Sequence, residues 1–135
     1  MPGTLTELFQ RAAAEHAQCA ALQHKVDGEY RSITYAALAR RVMRFARGLA
    51  ALGVEAGDRV AIIAENRPEW AVADLATLAL GAINVPLFTS LSPAQIRYIL
   101  DHSGARLVIV SNASLLRTVL QATSDDVDVR VVVMD

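Results

Sequence analysis

The sequence predicts an α/β fold, a mostly parallel, doubly wound layer with a small N-terminal hairpin. Three observations carry that expectation. Apolar runs at residues 60–64, 83–87, 106–110 and 129–134 are separated by segments of helical periodicity. Such alternation builds a mostly parallel sheet with helices on both faces and right-handed crossovers. The run 60–64 has no polar alternation that would leave one side wet, so it reads as a strand covered on both faces. Finally, Asp27-Gly28 lies between two short β-patterned stretches, 21–26 and 29–34. That dipeptide is the preferred filling of a two-residue hairpin turn, because both positions need positive φ.

Bulk composition sets the outer limits. At 135 residues, with 53% hydrophobic and 20% charged content, the chain can bury a core and is not a disordered chain. The formal net charge of −1 gives no overall field to draw in nucleic acid or a membrane surface. Positive charge is almost all arginine, with Lys25 the only lysine. The single cysteine, Cys19, allows no internal disulfide and no thiolate cluster, which suits a reducing cytoplasm. The first ten residues lack the basic-then-apolar pattern of a signal peptide. Asp74, Arg97 and Asp101 interrupt the longest apolar stretches below membrane-spanning length.

Each element has a local reason. A first helix is expected over 4–16, with Leu5, Leu8, Phe9 and Ala12 at helical spacing, Thr4 or Thr6 as cap and Glu7 in the first turn. The hairpin follows. Residues 34–52 form the clearest amphipathic helix: Tyr35, Leu38, Ala39, Val42, Phe45, Ala46, Leu49 and Leu52 make one stripe, while Arg40, Arg41, Arg44 and Arg47 take the other side and Gly53 ends it. The central stretch, 59–91, then reads as strand, helix and strand. Pro68 stands at the first helical position, where its missing N–H costs nothing. Trp70, Val72, Leu75, Leu78 and Leu80 leave little polar surface beyond Asp74 and Thr77, so this helix must be packed on most sides. Gly81 supplies its exit. Pro86 cannot donate a ladder bond, which predicts a short, marginal or bulged strand around it. Ser92-Pro93-Ala94-Gln95 spells a capping box with proline at the first helical position. Ile96, Ile99 and Leu100 give that helix its inward face, and Gly104 closes it. After the strand at 106–110, Ser111 or Asn112 caps a helix carrying Leu115, Leu116, Val119 and Leu120. A polar loop, 123–128, leads to the last strand. That strand directly precedes Asp135 with no helix to cover it, so the layer reads as part of a larger N-terminal domain.

No catalytic constellation can be assembled from spacing. Gly28, Gly48, Gly53, Gly57, Gly81 and Gly104 are scattered singly, and neither GxGxxG nor GxxxxGK[ST] can be written from them. Gly53 and Gly57 read as a turn. His16, His24 and His102 fall in three separate elements with no HExxH spacing. Ser90, Ser92, Ser103, Ser111 and Ser114 lack a GxSxG context. Asp125, Asp126 and Asp128 lack the glycine and distal glutamate of a calcium loop and read as a solvated turn. Trp70 reads as core, Arg117 as a surface arginine, and the arginine row of 40–47 as a solvated face without the interleaved aromatics of a single-strand binder.

Two stretches resemble core motifs of the adenylate-forming superfamily. Ser32-Ile33-Thr34-Tyr35-Ala36-Ala37-Leu38 resembles the first, a hydrophobic residue followed by T-Y-x-E-L. Leu80-Gly81-Ala82-Ile83-Asn84-Val85-Pro86-Leu87 resembles the second, G-A-x-x-V-P and a hydrophobic residue. The linking segments Gly57-Asp58-Arg59-Val60-Ala61-Ile62 and Glu65-Asn66-Arg67-Pro68-Glu69-Trp70 match as well. With Ser92-Pro93 and Ile99-Leu100-Asp101-His102-Ser103-Gly104-Ala105, the form is most similar to long-chain fatty-acid–CoA ligases. Ala37 departs from the pattern, since it stands where the motif has glutamate and removes half of a capping box. That costs some tenths to about 1 kcal/mol of helix stability.

The resemblance implies a full enzyme that joins a carboxylate to ATP, releases pyrophosphate and passes the acyl group to coenzyme A. Its phosphate loop, adenine and ribose contacts and catalytic lysine come after these two motifs. Residues 1–135 are therefore expected to be an N-terminal subdomain fragment, inactive alone, with no catalytic, cofactor-binding or metal-binding residue. ATP, Mg and CoA belong to the full enzyme, whose remainder is the expected partner alongside fatty acid. Self-association through an exposed strand edge is expected too. The competing reading is a free-standing α/β binding or interaction module. A flavodoxin-like nucleotide domain is disfavoured, because no phosphate loop follows any strand.

Overall fold

The computed structural model describes residues 3–125 and 128–135. It divides into two compact units, residues 1–54 with 67–80, and residues 55–66 with 81–135.

The first unit holds three helices and the hairpin: α1 (Leu5–Glu15), β1 (Ala20–Val26), β2 (Glu29–Thr34), α2 (Tyr35–Ala51) and α3 (Pro68–Ala79). At the hairpin turn Asp27 has φ 51° and Gly28 φ 85°, as the dipeptide requires. Register runs from Val26↔Glu29 outward, with an irregularity between Ala20 and Leu22. Helix α1 starts on the expected capping box, Thr4 with Glu7. Its side chains, however, are nowhere fully buried, and Leu5 and Leu8 are 66% and 51% exposed. Thr6, Phe9, Ala12 and Ala13 are the half-buried ones. Helix α2 buries Leu38, Val42, Ala46 and Leu49 and leaves its four arginines in solvent. Its cap, Thr34, accepts from the Ala37 amide at 3.2 Å. In α3 the fully buried stripe is made of small side chains, Val72, Ala73, Ala76 and Thr77, while Trp70, Leu75 and Leu78 are half-buried. Thr77 tolerates complete burial because its hydroxyl donates to the Ala73 carbonyl at 2.8 Å.

The second unit is a four-stranded parallel sheet with two helices: β3 (Arg59–Ile63), β4 (Ile83–Leu87), α4 (Pro93–Ser103), β5 (Leu107–Val110), α5 (Ala113–Ala122) and β6 (Arg130–Val133). Strand order is β4-β3-β5-β6, so the chain winds one way from β3 to β4 and the other way from β5 to β6. Ile63 stands opposite both Leu87 and Val110. Ala61, Ile63, Leu87, Val108 and Val110 share one face and pack against Ile96 and Leu100 of α4 and Leu115 and Val119 of α5. The alternate residues Val60, Ile62, Leu107 and Ile109 are buried as well. Burial on both faces is why these strands read as continuous apolar runs.

The structure decides two points that the sequence leaves open. The strand around Pro86 is regular through all five pairs with β3. It lies at the sheet edge, where a missing N–H need not interrupt a ladder. Leu120 does not join the inward face of α5 and is 52% exposed; Ala122 takes its place in the core.

Arg59 fastens the sheet to the end of α4. Its guanidinium donates to the carbonyls of Ser103 at 2.8 Å, Gly104 at 3.4 Å and Gly57 at 3.1 Å. A cation on the last carbonyls of a helix is favourable, since those groups lack partners within the helix. Gly104 has φ +70°, which favours glycine, and a Cβ there would stand 2.6 Å from Arg59 Nη2, so the guanidinium would have to shift.

Candidate functional site

Where a doubly wound sheet reverses its strand order, the carboxyl ends of the two flanking strands diverge and leave a crevice, the usual ligand position in such folds. Here those strands are β3 and β5. Glu65 follows β3 by two residues, and Ser111 and Asn112 follow β5 directly. The register Ile63↔Val110 and the bond from the Ser111 amide to the Ile63 carbonyl, 3.2 Å, bring the segments together. Ser111, fully buried, donates its hydroxyl to Glu65 Oε2. Asn112 Nδ2 lies 3.1 Å from Glu65 Oε1 and 3.2 Å from Ser111 Oγ. The other side of the same amide, Asn112 Oδ1, accepts from the Ser114 and Leu115 backbone amides, both at 3.0 Å. The first turn of α5 is therefore capped by the chain itself, with a carboxylate beside it.

The remaining helix N-termini are occupied in the same sense. Thr4 and Glu7 close α1, Thr34 caps α2, and Ser92 with Gln95 closes α4. Helix α3 has no side-chain cap but carries Glu69 in its first turn. Partial burial works against the charged form of Glu69. The Arg67 hydrogen bond at 2.8 Å, the carboxylate's own backbone amide, and the charges of Arg67 and Arg41 outweigh that and hold it below the usual carboxylate range. A helix start is a ready-made anion site only when its amides are free and no negative charge is fixed there.

The residues weighed on sequence grounds are not brought together. His16 ends α1, His24 pairs across the hairpin with Arg31, and His102 stacks on Tyr98 of its own helix with centroids 5.8 Å apart. Ser92 is a cap, and Ser103 bonds backbone at the end of α4. Trp70 is half-buried, and Arg117 stands exposed on the second turn of α5. Asp125 and Asp128 are exposed, while Asp126 lies outside the described residues. Among the described residues no three metal-capable side chains gather, and no helix is long and apolar enough to cross a membrane. The Glu65–Ser111–Asn112 cluster escaped the sequence reading. Its only local signal is a polar residue just past each of two apolar strands, and which strands become neighbours is set by topology.

The family model described as AMP-binding enzyme matches residues 9–135. The chain belongs to this family. It is an adenylate-forming enzyme segment related to the long-chain fatty-acid–CoA ligases. It is 40% identical over 92 residues to the long-chain-fatty-acid–CoA ligase FadD15 of Mycobacterium bovis, covering 68% of this chain and 15% of that protein. It is 34% identical over 108 residues to the uncharacterized protein Rv1549 of Mycobacterium tuberculosis, covering 80% of this chain and 61% of that one. Among solved structures, a benzoate CoA ligase from Burkholderia xenovorans superposes with a TM-score of 0.84 at 32% identity, over 96% of this chain and 25% of the ligase. The chain thus spans about 15% of the length of the FadD15 relative.

Within this family segment, the switch-point cluster is expected to hold the β3 and β5 ends together. Replacing Glu65 with alanine removes an acceptor from a buried hydroxyl and should cost about 1–3 kcal/mol, read as a lower urea midpoint. Glu65→Gln keeps an acceptor and should lose less. An unchanged midpoint in Glu65→Ala would show that the cluster carries no structural load.

Proposed function

We propose that residues 1–135 are the N-terminal subdomain segment of an AMP-forming ligase for long-chain fatty acids, and that this segment is framework without adenylation chemistry of its own. In the complete reaction a fatty acid carboxylate attacks the α-phosphorus of ATP, giving an acyl adenylate and pyrophosphate. The thiol of coenzyme A then takes the acyl group, giving the thioester and AMP. ATP, Mg and CoA are handled in this reading by the remainder of the same enzyme, in the cytoplasm.

The observation that carries this reading is the state of the five helix N-termini among the described residues. Four are capped by the chain's own side chains and the fifth holds Glu69 in its first turn. A triphosphate would have to displace Asn112 from α5 and sit beside the Glu65 carboxylate, against like charge. These groups do not fit a nucleotide, so no step is assigned to them. The likeness to FadD15 supports the long-chain acid.

The test is carboxylate-dependent ATP–pyrophosphate exchange by the 135-residue polypeptide, with oleate as the acid. No exchange above the protein-free blank is expected; exchange that follows the protein concentration would contradict the proposal. The reading also includes self-association through β6, an edge strand among the described residues in which three valines follow Arg130, with no proline or lysine in it. Light scattering should report a species larger than 14.5 kDa, and a monomer that persists at high concentration would remove this part.

A second reading is favoured by one finding: this chain covers 61% of the length of Rv1549, far more than of the ligases. In that reading the chain is a free-standing interaction module without catalysis. An antibody against it should then detect a polypeptide of this size in its own cells, whereas a ligase-sized band would exclude the module.

A further inference from the structure

We propose that the outer face of α2, formed by Arg40, Met43, Arg44 and Arg47, docks an acidic amphipathic helix of a partner protein. All four side chains are exposed, Met43 to 52%. They follow one another at helical neighbour spacing, three and four residues apart, while Leu38, Val42, Ala46 and Leu49 take the buried side. Arg11, Arg67 and Arg97 each bond a carboxylate, and Arg59 bonds backbone carbonyls. The arginines of α2 have no acidic residue in their own helix, and Arg41 alone of the four acts on a carboxylate, that of Glu69. Arg40, Arg44 and Arg47 make no ion pair among the described residues. Like charges at this spacing destabilise a helix, and such breaks of a local rule concentrate at functional sites.

Composition and pitch select the partner. Arginine and methionine are both enriched at protein interfaces, arginine for its bidentate grip on carboxylates and methionine for its adaptable apolar chain. A methionine inside the row gives a phosphate backbone nothing to contact, and the face has no aromatic side chain on which bases could stack. A bilayer is a poorer match, since Met43 is the one large apolar side chain this face could insert. Arg40, Arg44 and Arg47 rise along the helix by steps of about 6 and 4.5 Å. Carboxylates at the same spacing on a second helix meet all three, with an apolar residue over Met43. An extended acidic strand presents one side every ~6.6 Å and runs out of step at the third arginine. A second copy of this chain lacks the pattern. Its described helices carry Glu7 and Glu15 in α1, Glu69 and Asp74 in α3 and Asp101 in α4, so none has three acids. The inference concerns the first unit alone and goes beyond the ligase reading.

The probe is a synthetic helix of about 20 residues in an alanine-rich host, carrying Glu-x-x-Leu-Glu-x-x-Glu, the acidic counterpart of residues 40–47. The chain has three methionines, of which Met43 lies on this face and Met134 follows β6. Spectra of the ¹³C-methyl-methionine protein, titrated with the peptide, should show a saturable shift of the Met43 methyl and none of Met134. A permuted peptide, of the same composition with its glutamates spread around the helix, should bind at least tenfold more weakly. The double variant Arg40→Gln, Arg47→Gln should lose at least tenfold in affinity. Arg40→Glu, Arg47→Glu should lose as much and bind instead a peptide with lysine in place of glutamate. A stationary Met43 signal would overturn the proposal, as would equal affinity for the permuted peptide or variants that bind the acidic peptide unchanged. A Met43 response to a single-stranded oligonucleotide or to phosphatidylglycerol vesicles, with none to the peptide, would overturn it in favour of a phosphate-facing surface. Adenylation chemistry takes no part in this readout, so its failure is distinct from that of the exchange assay.

Discussion

The bonds from Ser111 and Asn112 to the Glu65 carboxylate close the point at which the sheet changes its direction of winding. They exist only because β3 and β5 are neighbours in parallel register, with Ile63 opposite Val110. Relative magnitudes decide which of the two governs the other. A fully buried aliphatic side chain contributes roughly 1.5–3 kcal/mol, and β3 and β5 bury nearly all of theirs. A hydrogen bond to a charged group contributes about 1.5–3 kcal/mol net, and the cluster makes two of them, fewer than the buried side chains of the two strands. Apolar burial therefore sets the pairing, and the polar cluster is built on it.

The same pairing explains the rest of the second unit. With β3 and β5 in the middle, β4 and β6 become edges, and a proline in β4 is harmless. One face of the sheet is a single apolar cluster shared by α4 and α5. Arg59 leaves the start of β3 to hold the last carbonyls of α4, where Gly104 ends the helix in a left-handed turn. Capping is handled locally at α1, α2, α4 and α5, whose starts are closed by side chains of the chain's own sequence.

Much of this was legible in the sequence because it is decided over a few residues. Thr4 with Glu7, Ser92 with Gln95, Asp27-Gly28, Pro68 and Gly104 act within one turn, and each sits where its local chemistry places it. Faces were less legible. Leu5, Leu8 and Leu120 have helical spacing yet lie exposed, because spacing defines a stripe without saying how much of it a neighbour covers. Alanines and Thr77 take much of the buried stripe of α3 for the converse reason: close approach favours small side chains. The switch-point cluster was not legible at all. Glu65 and Ser111 are 46 residues apart, and nothing in either segment states that the strand after α4 will cross to the far side of β3.

Family membership and geometry lead to the same functional picture from different directions. The relatives are mostly much longer proteins, of which this chain matches a small share. At the switch point and at four of the described helix starts, the chain's polar side chains are engaged in capping and in fastening strand ends. Equilibrium dialysis of the polypeptide against radiolabelled ATP and AMP tests that most directly. The account predicts equal counts on both sides of the membrane for each nucleotide. Saturable retention of one nucleotide per chain, abolished by substitution at Asn112, would contradict it.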